Sequence, residues 1–73
     1  MPLEKIEAPL PGKILKVSVK VGDKIDEAGE ICTIEAMKME TPILATVKGV
    51  IKELSVTAGK AVKANETIAV IEY

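Results

Sequence analysis

The feature that most constrains the fold is an internal repeat with a period of 37 residues. When residues 12–35 are placed on residues 49–72, eight of the 24 aligned positions are identical. The identical pairs are Gly12/Gly49, Ile14/Ile51, Ser18/Ser55, Val19/Val56, Gly22/Gly59, Ile31/Ile68, Ile34/Ile71 and Glu35/Glu72. Two copies are too few for an open solenoid, whose stacked units must cover one another. We therefore expect a closed, pseudo-twofold structure in which each half covers the apolar face of the other.

Each copy has the pattern of short β-strands. Apolar and polar residues alternate over residues 15–21, which predicts a strand with one solvated face. The alternation shifts by one position over residues 14–17 and shifts in the same way over residues 51–54. A matched shift of this kind indicates a β-bulge or a corner where a strand passes from one sheet to the other.

Turn residues divide the rest of the chain into further short strands. Gly22 and Gly59 mark tight turns, and each is followed by a short strand around Ile25 or Val62. Other strands are expected over residues 4–8, 30–36, 39–45 and 67–72, and Pro42 should lie at a sheet edge or at a position that forms no ladder hydrogen bond. We predict a single all-β domain over residues 1–73, a flattened barrel-sandwich of two four-stranded antiparallel sheets without a helix.

Composition removes several classes of function. The ten basic residues, all lysines, and eleven acidic residues give a formal charge of −1, and Tyr73 is the only aromatic residue, which argues against nucleic-acid binding. With no His and one cysteine, Cys32, a zinc site has no plausible ligand set. No apolar run reaches the length of a membrane span, so we expect a soluble, cytoplasmic protein without membrane insertion. Such a chain is better suited to carrying a chemical group than to transforming one.

The reversal between the third and fourth long strands breaks a folding rule. The available residues are Ala36, Met37, Lys38 and Met39, whereas two-residue hairpin turns normally require Gly, Asn or Asp because the backbone takes positive φ. The expected cost is about 1 kcal/mol or more, and such violations tend to mark functional positions. The alternative is that both methionines pack into the core and that Lys38 is an ordinary solvated turn residue. The repeat places the chain termini where a second copy of this turn would lie, at the pole opposite Lys38.

The residues around this turn resemble a known family. The run EAMKME at residues 35–40 looks like the attachment motif of biotin carboxyl carrier proteins and of the biotinyl domains of biotin-dependent carboxylases, transcarboxylases and decarboxylases. APLPGKI at residues 8–14 resembles the family's A-P-M-P-G opening, with Leu10 in place of Met, and residues 21–23 resemble its V-G-D turn. Thr46 replaces a common proline, and Pro42 occupies a position that is usually polar. Some carriers of acetyl-CoA carboxylases in this family have an extra loop, called the thumb. The first half here is no longer than the second, so we expect no thumb insertion.

The resemblance implies a role for each residue of the motif. Lys38 would carry biotin as a covalent amide, and Glu35, Ala36, Met37 and Met39 would be recognised by a biotin protein ligase. The partners would be biotin carboxylase and carboxyltransferase subunits, between which the arm carries a carboxyl group. The chain itself would be a non-catalytic carrier, with no catalytic residue and no metal site.

Two other functions and several structural interpretations stay open. A lipoyl domain presents a lysine at the same turn, but typically between Asp and Ala, and an unmodified barrel-sandwich could serve assembly alone. Cys32 aligns with Ala69 and is expected to be a small core residue. Glu35 and Glu40 could act as paired carboxylates, but an exposed pair without a pocket is usually a solvated face. Because Glu35 recurs as Glu72, away from any lysine turn, a structural role is favoured for it.

Overall fold

The computed structural model describes residues 2–73, so position 1 of the predicted domain lies outside the described residues. The fold of the described residues consists of eight strands. The strands are β1 (Leu3–Glu7), β2 (Gly12–Val17), β3 (Lys24–Ile25), β4 (Glu30–Ala36), β5 (Met39–Leu44), β6 (Gly49–Leu54), β7 (Ala61–Val62) and β8 (Thr67–Glu72). No helix occurs over residues 2–73. The prediction of an all-β fold is confirmed.

The strands form two four-stranded antiparallel sheets. The strand order is β1-β8-β6-β3 in one sheet and β5-β4-β2-β7 in the other. Each strand of the first sheet corresponds, 37 residues away in the sequence, to the strand at the same place in the second sheet. Each sheet contains two strands from each half of the sequence. The two halves are therefore interleaved, so neither sheet forms without both, and β-ladders do not close the sheets into a continuous barrel.

Backbone hydrogen bonds outside the ladders follow the same twofold relation. The Gly22 N–H donates to the Ile51 carbonyl at 2.8 Å, and the Gly59 N–H donates to the Ile14 carbonyl at 2.7 Å. Both glycines have positive φ, 95° and 93°, which a residue with a Cβ adopts only with strain. These turns carry the chain from one sheet to the other and confirm the predicted glycine turns.

One aliphatic core lies between the sheets. Its fully buried isoleucines are matched pairs of the repeat, Ile14/Ile51, Ile31/Ile68 and Ile34/Ile71. Ladder registers shift between Ile14 and Lys16 in β2 and between Ile51 and Glu53 in β6, so the predicted bulges are confirmed. These bulges reset which face of the strand points inward.

The strand predicted over residues 15–21 is displaced toward the N-terminus, because β2 begins at Gly12. It ends at Val17, and Val21 is 62% exposed in the following loop. The alternation continued past the strand because Val19 packs partly against the core from the crossover segment. The alternating pattern therefore extends beyond the end of the strand, because the chain leaves the ladder there to cross to the other sheet.

Pro42 lies on the edge strand β5, opposite Thr33 of β4. Pairs alternate between bonded and non-bonded along an antiparallel ladder, and the pair closing a two-residue turn, Ala36 and Met39, is bonded. Counting from that pair makes the pair of Thr33 and Pro42 non-bonded. The missing N–H of Pro42 therefore faces the open edge, which confirms its predicted position.

The β4–β5 turn and the chain termini lie at opposite ends of the molecule. The Thr46 hydroxyl, just beyond β5, donates to the Glu4 carboxylate at 3.1 Å, next to the terminal end of β1. Eight residues separate Lys38 from Thr46, or about 26 Å of extended chain, and the longest dimension is 36 Å. At the terminal end the Tyr73 N–H donates to the Pro2 carbonyl at 3.1 Å.

Hydropathy and helix length give no candidate membrane span among the described residues.

Candidate functional site

A two-residue turn at the tip of the β4–β5 hairpin contains the predicted acceptor. Met37 and Lys38 have φ of 54° and 65°, so both occupy the left-handed region. The pairing of Ala36 with Met39 leaves these two residues alone in the turn. Two consecutive positive φ values describe the primed turn that fits the twist of a hairpin, here built without Gly, Asn or Asp. The predicted rule violation is therefore present in the backbone.

The side chains of the turn project into solvent. Met37 is 85% exposed and Met39 is 68% exposed, the two highest values among the large exposed hydrophobic residues of the described chain. Lys38, between them, is also exposed. The alternative in which the methionines pack into the core is wrong. Within residues 2–73, the Lys38 amine has no carboxylate or carbonyl at hydrogen-bonding or ion-pair distance, so the nitrogen is presented free.

Buried residues directly behind the turn hold it in place. Ala36, the last residue of β4, is 7% exposed, and Ile34 is 1% exposed. Glu35, between them, points to the outer face and is exposed. The small side chain of Ala36 lets the hairpin close over the core immediately before the strained turn. Rigid anchoring of this kind is what allows a strained backbone to persist.

The neighbouring strand β2 approaches the hairpin closely at Gly12. A Cβ at this position would collide with the Glu35 backbone oxygen and come within 3.0 Å of Ile34 Cγ1. Gly49 has the same relation to the backbone oxygen of Glu72 at the other end. These glycines therefore serve the packing of both ends and are not specific to the lysine turn.

The outer face behind the turn carries a row of charges across three strands. In the ladder registers Lys13 of β2 faces Glu35 of β4, and Glu35 faces Glu40 of β5. Two carboxylates directly opposite repel each other, and the lysine on the far side offsets part of that repulsion. All three side chains are exposed, and neither Glu35 nor Glu40 lines the groove found among the described residues. The row is a charged surface beside the acceptor, and it lacks the enclosure that acid–base catalysis requires.

Cys32 lies in the buried core and not at the turn. Its side chain is fully buried, and burial, with a smaller contribution from the Glu30 charge, raises the pKa of the thiol to about 11. A thiol in this state is a poor nucleophile. The prediction that Cys32 is a small core residue is confirmed. Among the described residues, no group of His, Cys, Asp and Glu could hold a metal ion.

Sequence reasoning missed one surface, a shallow groove of about 320 Å³ between the edge strands β1 and β5. Its lining includes Ile6, Pro9, Pro42 and Leu44, with Lys5 and Glu7 at the margin. The two edges are one repeat apart in sequence, so only the pairing of the sheets reveals that they are neighbours. Among the described residues, its lining contains no Ser, Cys or His and no cluster that could hold a metal ion.

Comparison with known proteins assigns the family. The model of the family described as "Biotin-requiring enzyme" matches residues 4–71. A biotinylated protein TB7.3 homolog from Mycobacterium leprae is 38% identical over 68 residues, which cover 93% of this chain and 96% of that protein. The biotin carboxyl carrier protein of Streptococcus mutans is 42% identical over 64 residues, which cover 88% of this chain and 49% of that protein.

A solved structure shares the same fold. The urea carboxylase of Kluyveromyces lactis superposes with a TM-score of 0.91 and 29% sequence identity, over 99% of this chain and 6% of that chain. Two other relatives are carboxylase chains, of which this chain spans 9% and 6%. The names of these relatives favour biotin over the lipoyl alternative. The chain belongs to the biotin-requiring enzyme family and is a biotinyl domain, a non-catalytic carrier whose cofactor is biotin.

Proposed function

We propose that Lys38 is the residue that carries biotin, through an amide at its Nζ atom, and that the arm shuttles a carboxyl group between the active sites of a biotin-dependent carboxylase, transcarboxylase or decarboxylase. The observation that carries this proposal is the position of Lys38 on a strained, solvent-exposed turn with its amine free. A primary amine that forms an amide must be reachable by a modifying enzyme, and the amine of Lys38 meets this condition.

Attachment requires help because a lysine amine is almost entirely protonated near neutral pH. In the proposed step a biotin protein ligase removes a proton, and the Lys38 Nζ lone pair attacks the carbonyl carbon of biotinyl-AMP. The C–N bond forms as the bond from carbon to the phosphate oxygen breaks, and AMP leaves with the electron pair of that bond. The nitrogen then loses its second proton to the ligase or to solvent, which gives a neutral amide. Met37 and Met39 would lie against the ligase, with Glu35 and Ala36 completing the surface that it recognises.

The rigid hairpin sets the range of the arm. When bound, biotin supplies a ureido nitrogen that accepts and releases a carboxyl group. The lysine side chain and the valeryl chain together provide roughly ten bonds, or about 12 Å of reach. The turn holds the base of the arm in place relative to the two sheets. Tethering raises the concentration of the group at both active sites without any added contact.

The proposed partners are a biotin protein ligase and biotin carboxylase and carboxyltransferase subunits or domains. Carboxylase partners are supported by the names of the relatives and of the similar structure. A single biotinyl domain over residues 1–73 and a cytoplasmic location complete the proposal. A cytoplasmic location is compatible with the free thiol of Cys32, since cytoplasmic conditions keep thiols reduced.

The experiment is biotinylation of the purified chain by a biotin protein ligase with ATP and biotin, read by intact mass and peptide mapping. We expect the wild type to gain one biotinyl group, located on Lys38. Lys38→Arg keeps the charge and should fold normally but gain none. Lys13→Arg is the matched control, since Lys13 lies on the adjacent strand, facing Glu35 in the register.

Two results would contradict the proposal. Biotinylation of the Lys38→Arg variant at another lysine would show that the acceptor is misassigned. A wild-type chain that folds but gains no group would favour the assembly role, in which the barrel-sandwich stays unmodified.

A further inference from the structure

We propose that Met37 and Met39 form a site of reversible oxidation, and that conversion of their thioethers to sulfoxides by a peroxide blocks recognition of Lys38. This inference rests on the proposed function, because it concerns the surface that the ligase contacts. It goes further by making that surface responsive to oxidants.

Both methionine side chains are largely exposed to solvent. Their exposed fractions are 85% and 68%, and they lie on either side of a lysine on a turn that projects from the end of the sandwich. Positive φ at Met37 and pairing of Met39 with Ala36 prevent either side chain from withdrawing into the core by a small adjustment of the backbone. Solvent access is the first requirement for oxidation of a thioether.

The chemistry is a two-electron transfer. A lone pair on the thioether sulfur attacks one oxygen of hydrogen peroxide, an S–O bond forms and the O–O bond breaks. The proton on the transferred oxygen moves to the departing hydroxide, so the products are one sulfoxide and one water. Sulfur is oxidised and the peroxide is reduced, with no further reactant required.

The product changes the surface around the acceptor. A sulfoxide is polar and chiral, whereas the thioether is flexible and apolar. A partner that packs apolar groups against the two methionines would have to bury the new oxygen without a hydrogen bond, which is unfavourable. The scaffold itself should be unaffected, because neither side chain contributes to the buried core. Oxidation would therefore switch the site off without unfolding the domain.

The single cysteine of the sequence does not compete for this role. Cys32 is fully buried, and its raised thiol pKa keeps it protonated at neutral pH. Mild peroxide should consequently modify the exposed methionines first. Within residues 2–73, both thioethers lie at the end of the molecule that carries Lys38.

The test treats the apo chain with hydrogen peroxide, removes the peroxide by desalting and catalase, and then measures the kcat/KM of biotinylation by an untreated ligase. Peptide mass spectrometry locates each added oxygen. We expect oxidation at Met37 and Met39, a decrease in kcat/KM of roughly tenfold or more, and recovery after treatment with methionine sulfoxide reductases. Circular dichroism should show that the oxidised chain keeps its fold.

The double variant Met37→Leu/Met39→Leu is the matched control, because it keeps the apolar turn, the third methionine of the sequence and Cys32. Its kcat/KM should not change after the same treatment. The inference is overturned if peroxide leaves Met37 and Met39 unmodified, if the oxidised wild type reacts at the untreated rate, or if the double variant loses activity equally. An unoxidised wild type that is never biotinylated would instead overturn the proposed function, so the two failures are distinguishable.

Discussion

The two ends of the molecule share one scaffold but differ in what closes it. At one end Ala36 and Met39 are joined by a strained two-residue turn, and at the other end the equivalent residues, Tyr73 and Pro2, are joined only by a backbone hydrogen bond of 3.1 Å. The strands, bulges and core isoleucines behind the two closures are matched. Features that both ends share support the fold. Features that only one end has belong to the functional site.

The largest effects should come from residues that the two ends share. Ile14 and Ile51 are equivalent and both have 0% exposure. Ile14→Ala and Ile51→Ala should each lower the free energy of unfolding by about 3 kcal/mol, because each removes buried methyl groups and leaves a cavity. Urea unfolding followed by circular dichroism measures both, and Ile→Val at each position provides a milder pair. A difference of more than about 2 kcal/mol between the alanine variants would show that the ends do not share one core equally.

The next effect should appear only at the lysine end. Met37→Asn with Lys38→Gly supplies the residues that a primed turn prefers, so the free energy of unfolding should rise by about 1–2 kcal/mol while the acceptor is lost. Met39→Leu is the control, since it leaves both strained positions unchanged and should change stability little. If the double variant is no more stable than the wild type, the turn holds no strain and the contrast between the ends is weaker than the φ angles indicate.

The smallest effect compares one strained position within the two halves. Ala28 and Asn65 are equivalent and both have φ of 68°, but asparagine tolerates this region better than alanine. We expect Ala28→Asn to raise the free energy of unfolding and Asn65→Ala to lower it, each by about 0.5–1 kcal/mol. Thermal unfolding of the two single variants and the double variant would measure this. Changes of the same sign in both single variants would show that side-chain contacts and not φ decide these positions.

Much of the scaffold could be predicted because both copies of the repeat show the same sequence pattern. The bulges were visible since Ile14 and Ile51 shift the alternation in the same way, and the lysine turn was visible since no residue from Ala36 to Met39 suits positive φ. The end of β2 at Val17 could not be predicted, because Val19 contacts the core from a crossover and so continues a pattern that belongs to a strand. The groove between β1 and β5 was missed because it depends on which sheet edges become neighbours.

The role of Lys38 was predicted from the motif and stays a prediction until biotinylation is measured. Its exposure, its positive φ and its distance from the chain termini are structural findings that agree with that role. The sequence could not show that the amine would be free of a carboxylate, because Glu35 and Glu40 lie close by in the chain. The pleat directs their side chains to the outer face of the sheet, whereas Lys38 lies in the exposed turn beyond the last ladder pair.

The hydrogen bond between Tyr73 and Pro2 makes the backbone nearly a ring. Joining the chain head to tail with a short primed turn would turn this closure into a second hairpin related to the first by the twofold, and cutting the loop at Gly22 would then give a circular permutant with every ladder intact. In either the joined chain or the permutant, an alanine-methionine-lysine-methionine segment introduced at the new turn would produce a carrier with two arms pointing in opposite directions.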